Sequence, residues 1–384
     1  MTFVEGIGGI LPLLVGAFLA AAAISLLLTP LVRALVHRRG IVDTPNQRRV
    51  NTAPVPRGGG VAVVVAFLAV GGGLVLFNEQ IGPMPSPRSV STGELLALFL
   101  GGAAAALIGA VDDLLDLRAR WQFAGQVGLA VLAVLLGVVV EAVANPFGPR
   151  TIAFAAPFAV AFTVVWVVGM INSINFIDGL DGLSTGISLI AALTLGVLSL
   201  TTQVSGGQPF VAVLCVVLAG SLAGFLRYNF RPASIFQGTA GVMFMGYTLA
   251  ILSILGTAKV AVAVLVLGVP IIDTFWVIVR RLSGGRSPFT PDRGHIHHRL
   301  LDLGLGHRGT VLLIYAICAS LGLMSLLVST ATQVYAFLGA LVGFGVILFG
   351  PTRGAFRRPE ELEAEAYEPE EDPDEDPEDE SPRG

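Results

Sequence analysis

Eleven apolar runs, each about as long as a bilayer-crossing helix needs to be, occupy most of this 384-residue chain. They fall at 10–36, 59–77, 94–111, 123–143, 152–171, 183–201, 209–226, 240–256, 260–279, 310–329 and 333–350. Only 13% of the residues are charged, against about 25% in a soluble domain. Mean hydropathy is +0.79. The expectation is an all-α integral membrane protein with about eleven transmembrane helices.

Basic residues set the orientation. Of the 23 Lys and Arg, 20 lie in the tail or in the alternate loops after runs 1, 3, 5, 7 and 9. Arg88, Arg150 and Lys259 are on the other side. The N-terminus is therefore expected outside and the C-terminus in the cytoplasm. The formal net charge of −4 conceals two parts. The segment from Pro359 to Gly384 holds 14 of the 27 acidic residues, which leaves residues 1–358 at +9. The chain thus divides into a polytopic membrane domain, 1–350, and an acidic tail, 351–384, expected to be disordered and cytoplasmic. In residues 1–358 all nine Asp fall on the cytoplasmic side and all four Glu on the outer side. Solvated loops have no reason to sort Asp from Glu, so the inner face reads as a chemical surface.

The costliest polar stretch is Asn172-Ser173-Ile174-Asn175-Phe176-Ile177-Asp178-Gly179-Leu180-Asp181-Gly182-Leu183. Asn172, Asn175, Asp178 and Asp181 step by three, so on a helix neighbours in the series face alike while the ends diverge. A helix cap explains one such residue, not four in register. Run 3 ends in Asp112, Asp113 and Asp116. If the helix continues, Asp112 and Asp116 share a face, and adjacent carboxylates at membrane depth need a cation or a shared proton. Asp273, about two turns inside run 9, needs a partner as well: a cytoplasmic Arg such as Arg280, or a metal ion.

The loops add cations. Pro54-Val55-Pro56-Arg57-Gly58-Gly59-Gly60 joins an Arg to a glycine turn able to receive phosphate, and is equally a basic anchor at the headgroups. Arg227-Tyr228-Asn229-Phe230-Arg231-Pro232 and Ile235-Phe236-Gln237-Gly238-Thr239-Ala240-Gly241 suit either a stacked base or an interfacial aromatic belt. The loop with Arg293, His295, His297 and His298 has zinc-like His spacing but no companion Cys, and its Arg and Gly neighbours suit phosphate better. Cys215 and Cys318 lie inside apolar runs and read as core residues. Carboxylates, a divalent cation and basic donors together are what phosphoryl transfer needs.

In these motifs the chain resembles the polyprenyl-phosphate N-acetylhexosamine-1-phosphate transferases, over about residues 10–330. The carrying features are the paired Asp with a following Asp, the Asn-x-x-Asn-x-x-Asp-Gly-x-Asp-Gly run, the Tyr-Asn loop and the His-x-His-His loop. The first loop and the His loop are similar to the branch that transfers GlcNAc-1-phosphate, rather than to phospho-MurNAc-pentapeptide transferases with their three consecutive His. The resemblance implies a UDP-N-acetylhexosamine donor, an undecaprenyl or decaprenyl phosphate acceptor and release of UMP. It also implies Mg²⁺ (with Mn²⁺ as a substitute), a bacterial plasma membrane with the site on its cytoplasmic face, a homodimer, and no nucleic-acid partner. By motif position Asp112, Asp113 and Asp116 would be the catalytic carboxylates, with Asn175, Asp178 and Asp273 at the metal. Asp181, Asn229 and Phe236 would hold uracil, and Arg57, Arg293, His295, His297 and His298 the sugar-diphosphate. Two residues depart from the pattern. Thr239 stands where the family has an Asp that binds magnesium, and Asn51 where a His is common. Asp273 or Asp178 is expected to make up the missing carboxylate. A transporter of lipid-linked sugars is the competing reading, disfavoured because the acids gather at one face and no repeat appears. An inactive homologue, suggested by Thr239, is the third.

Overall fold

The computed structural model describes residues 3–43, 54–78, 90–145, 151–200, 208–255, 260–285, 287, 295–327 and a few positions between 335 and 343. Two compact units divide the chain, Met1–Val342 and Gly343–Gly384, and the helical bundle is the first of them. The eleventh run and the acidic tail lie largely outside the described residues.

The helices are α1 Phe3–Arg38, α2 Gly60–Leu76, α3 Thr92–Leu115, α4 Ala119–Leu135, α5 Ala156–Ile177, α6 Leu183–Leu200, α7 Pro209–Asn229, α8 Gly238–Ile254, α9 Val260–Val266, α10 Gly268–Ser283, α11 Ile296–Asp302 and α12 His307–Leu327. Six of them, α1, α3, α5, α6, α7 and α12, are long and apolar enough to cross a membrane. The helices α9 and α10 form a span bent by 79°, and α2, α4 and α8 are shorter apolar helices. Together they coincide with the first ten apolar runs. Large apolar side chains such as Leu27, Leu107, Val165 and Leu323 are exposed, as a lipid-facing surface requires. This is an all-α membrane protein with two small additions. Strand β1 (Val42–Asp43) pairs antiparallel with β2 (Val55–Pro56), and β3 (Ala142–Ala144) with β4 (Thr151–Ala153).

Three local expectations are corrected. Run 4 was expected to reach residue 143, but α4 stops at Leu135. Gly137 adopts φ +95°, and the Val138 N–H donates to the Ala133 carbonyl, the glycine-terminated helix end that turns a chain sharply. Run 9 is not one straight span. Pro270 has no N–H to continue the ladder and Gly268 adds backbone freedom, so the chain breaks at Leu267. The helix of run 3 does not continue to Asp116. That residue caps α3 in the left-handed conformation at φ +52° with its side chain 96% exposed, so Asp112 and Asp116 do not share a helical face.

Close backbone approach builds the core. A Cβ on Gly220 or Gly224 of α7 would come within 2.3 Å of the Phe18 or Ala22 carbonyl of α1. That is small-residue packing as membrane helices use it. Helix α8 is apolar and buried almost throughout, as a central helix must be. Gly241 of α8 abuts Gly60 of α2, Gly246 abuts Ile171 of α5, and Gly109 of α3 abuts Thr239 and Ala240. The N-terminus of α8 is thereby held at one end of the bundle.

Candidate active site

A polar cavity of about 340 Å³ opens where α5 and α7 end and α8 begins. Asn175, Asp178, Asp181, Asn229, Phe236, Gln237, Thr239, Arg57 and His298 are on its wall. Of the predicted site residues these seven are brought together: Arg57, Asn175, Asp178, Asp181, Asn229, Phe236 and His298. Arg293 lies outside the described residues.

The glycine turn is not an open phosphate cradle. Gly58 and Gly59 N–H donate to the Phe236 carbonyl at 3.1 and 2.9 Å, and Gly60 N–H to that of Gln237 at 2.8 Å. Glycine is required instead because the loop lies flat on the start of α8, where a Cβ on Gly60 would sit 2.2 Å from Gly241 Cα. This docking aims Arg57 at the cavity. Its Nε is 3.0 Å from Asp113 Oδ1.

Asp113 caps α8 from another helix. Its Oδ1 accepts the Thr239 N–H at 2.8 Å and its Oδ2 the Ala240 N–H at 3.1 Å. A helix N-terminus offers such unpaired donors and a partial positive charge. Asp112 turns the other way. Its Oδ1 accepts from Leu117 N–H at 3.0 Å and Gln122 Nε2 at 2.6 Å, which fastens the turn between α3 and α4. Neither carboxylate is on the cavity wall; Asp113 borders it through Arg57, Gly238 and Thr239.

The register of four divides where α5 ends, with Asn172 and Asn175 on the helix and Asp178 and Asp181 beyond it. Asn172 Nδ2 donates to Gln126 Oε1 on α4 and Asn175 faces the cavity. Asp178 ends α5 and accepts a short hydrogen bond from Ser184 Oγ. Asp181 Oδ2 accepts from Ala233 N–H at 3.1 Å, and Arg231 stands 3.7 Å away, so it shapes the loop that carries Phe236. Burial pushes the Asp178 carboxyl up to about 6, the charges of Asp113 and Asp181 adding to this and the Ser184 bond opposing it. Asn229 is bonded at both ends of its amide, its Nδ2 donating to the Ile235 carbonyl and its Oδ1 accepting from Thr185 Oγ1.

Asp273 finds neither Arg280 nor the cavity. Its Oδ2 is 2.7 Å from His295 Nδ1, and its Oδ1 accepts the Ile296 N–H at 2.8 Å. It holds the start of α11 and is not on the cavity wall. The three His separate likewise. His298 reaches the cavity. His297 is buried against Gly179, where a Cβ would come within 2.1 Å of its Nε2, and burial holds it neutral, well below its ordinary pKa, with its His neighbours contributing. His295 lies on a second hollow.

That hollow is an apolar groove of about 740 Å³ between α4, α5 and α10. Val164, Val165, Val168, Phe123 and Ile278 supply its length. Gln122, Asn172, His295 and Arg281 are polar residues of its lining, and Asn175 belongs to both hollows. The sequence reading missed Arg281, Gln122, Ser184, Thr185 and Gln237. The amides and hydroxyls gave no charge signal, and Arg281 looked like one more basic residue of a cytoplasmic loop.

Among the described residues no three His, Cys, Asp or Glu surround a metal-sized space. The cavity wall does carry oxygen donors of the kind Mg²⁺ takes, Asp178 and the carboxamides of Asn175 and Gln237. Mg²⁺ commonly binds through one or two carboxylates plus substrate phosphates. The residues therefore fit a cation that arrives with a diphosphate.

The helical bundle thus carries a polar cavity and an apolar groove with Asn175 in the wall of both, an arrangement suited to an enzyme that works at a membrane. Comparison with known proteins agrees. The profile of glycosyl transferase family 4 matches residues 95–257. The chain is 35% identical over 342 residues to a probable undecaprenyl-phosphate N-acetylglucosaminyl 1-phosphate transferase of Bacillus subtilis, covering 88% of this chain and 90% of the relative. It is 35% identical over 358 residues to the decaprenyl-phosphate N-acetylglucosaminephosphotransferase of Mycobacterium tuberculosis, covering 87% of each. It is 38% identical over 319 residues to that of Mycolicibacterium smegmatis, covering 77% of each. The chain belongs to the polyprenyl-phosphate N-acetylglucosamine-1-phosphate transferase family.

Proposed function

We propose that the protein transfers N-acetylglucosamine-1-phosphate from UDP-N-acetylglucosamine to a polyprenyl phosphate, at the cytoplasmic end of a bundle of about eleven spans in a bacterial plasma membrane. The observation that carries this reading is a polar cavity and an apolar groove with Asn175 in the wall of both. The names of the relatives support the acceptor class, and the distribution of Lys and Arg supports the orientation.

In this reading the prenyl chain lies along the groove, and its phosphate meets Arg281 and Asn175. The UDP-sugar enters the polar cavity with uracil against Phe236 and its diphosphate between Arg57, Asp178 and His298. A lipid-phosphate oxygen attacks the β-phosphorus, the bond from that phosphorus to the bridging oxygen breaks, and the oxygen leaves with UMP. A phosphate monoester has a second pKa of about 6, so at neutral pH the attacking oxygen is already largely ionised and needs no strong base. Asp113 is assigned a positioning role: it holds Arg57 and the α8 N-terminus at the diphosphate. Asp112 holds Gln122 at the acceptor side. Asp181 and Asn229 shape the uracil loop, and Asp273 with His295 and His297 fixes α11 so that His298 reaches the donor. Asp116, exposed at the end of α3, has no assigned chemistry. Mg²⁺, with Mn²⁺ as a substitute, would be held by Asp178 and Asn175 and would neutralise diphosphate charge.

The test is UMP release by the purified protein in lipid, with a panel of UDP-sugars. UMP is expected from UDP-N-acetylglucosamine only when polyprenyl phosphate is present. No UMP from any UDP-sugar would sink the proposal and leave the transporter or inactive readings.

A further inference from the structure

The oxygen that stands in for the missing carboxylate at position 239 can be found by following protons. Carboxamide oxygen and nitrogen have the same shape, and only their bonding tells them apart. Asn229 is pinned, because its Nδ2 donates to the Ile235 carbonyl at 3.2 Å. Its Oδ1 therefore faces Thr185 Oγ1, 2.8 Å away, and takes that hydroxyl's single proton. Ser184 Oγ gives its single proton to Asp178, whose ionised carboxylate only accepts.

Both hydroxyls are left with lone pairs alone. Both face the same terminal atom of Gln237, 2.7 Å from Thr185 Oγ1 and 3.4 Å from Ser184 Oγ. Two acceptors facing one atom require it to be the amide nitrogen, whose two protons serve both. The other terminal atom of Gln237 is then the carbonyl oxygen. That atom is buried and has no hydrogen-bond partner among the described residues. Gln237 itself is 1% exposed and forms part of the cavity wall with Asp178 and Thr239. A buried polar atom without a partner costs free energy unless a ligand satisfies it.

We propose that this Gln237 carbonyl oxygen is a neutral ligand for the divalent cation that accompanies the diphosphate, in the role a carboxylate at position 239 would otherwise fill. The inference rests on the functional reading above. It makes the cation site one negative charge poorer, so the free protein holds the ion weakly and the nucleotide diphosphate brings most of the binding charge.

The experiment is an electron paramagnetic resonance titration of Mn²⁺ into full-length protein in lipid nanodiscs, with UDP present. Gln237→Met keeps the length of the side chain and removes its oxygen. It is expected to raise the Mn²⁺ Kd on the order of tenfold or more, and Thr239→Asp added to it is expected to recover most of the loss. Folding is followed by thermal unfolding of the same samples. A folded Gln237→Met protein within twofold of wild type overturns the proposal. So does a loss that Thr239→Asp leaves unrecovered, since that marks collapse of the hydroxyl network instead of loss of a ligand. If Gln237→Met fails to fold, Gln237→Asn, which withdraws the oxygen by one carbon, must show the same loss or the proposal fails. Wild-type protein that binds no Mn²⁺ with UDP overturns both this inference and the functional reading. UMP release by wild type together with an unchanged Gln237→Met titration overturns this inference alone.

Discussion

For single residues, the role of each carboxylate follows from what it touches. Asp113 spends its oxygens on two α8 N–H groups and the Arg57 guanidinium. Asp113→Asn puts amide protons against those donors. Turnover should fall at least a hundredfold, and thermal stability should fall too, by about 1–3 kcal/mol for the unpaired donors. A residue acting only as a base would lose turnover with stability unchanged, so paired kinetic and unfolding measurements decide its role. Asp178 has its carboxyl raised to about 6 from 3.8. Its folded pKa lies above the unfolded one, so the stability this group contributes is full below pH 3.8 and is lost as pH rises through about 6. Cation binding needs the ionised form and runs the other way. Mn²⁺ with UDP should bind more weakly as pH falls below about 6, and Asp178→Asn should bind weakly at every pH tested. These acids were visible in the sequence because charge inside a membrane protein needs a reason. Their partners were not, because Asp113 meets residues 126 and 127 positions away, and no local pattern encodes such a pairing.

Among elements, α8, α10 and α11 matter most. The hydropathy of α8 announces a buried helix, and its glycines announce close approach. That Gly60 and Gly241 face each other is a property of the packed pair, unreadable from either segment alone. Gly60→Ala should lower stability by about 1–3 kcal/mol through overpacking, measured by thermal unfolding in lipid. The break before α10 was legible in Gly268 and Pro270 but was submerged in a continuous apolar run, where periodicity carries no signal for a bend. Its consequence is that Asp273 points at the α11 loop and not at the cavity. Asp273→Asn should therefore loosen α11, raising KM for the UDP-sugar severalfold while the Mg²⁺ concentration for half-maximal rate stays the same. A shift in that concentration would return Asp273 to the metal site.

For the whole molecule, the apolar runs told of a helical membrane protein because hydrocarbon leaves a spanning backbone few other solutions. Ten of them coincide with helices or the bent pair. The sorting of Asp to one side also has a structural counterpart, since the polar cavity lies where α5 and α7 end and α8 begins. That the two hollows share Asn175 could not be read in advance. It depends on α4, α5 and α10 standing apart far enough to leave a groove, and on Asn175 lining both groove and cavity. If transfer to the lipid phosphate happens beside Asn175, the β-phosphate must move with the sugar. The most direct measurement supplies UDP-N-acetylglucosamine labelled at its β-phosphorus to the protein with polyprenyl phosphate and Mg²⁺, and follows the label. The expected result is that the β-label passes into the lipid fraction and that unlabelled UMP appears in water. Sugar reaching the lipid while the β-label stays in water as UDP would contradict it.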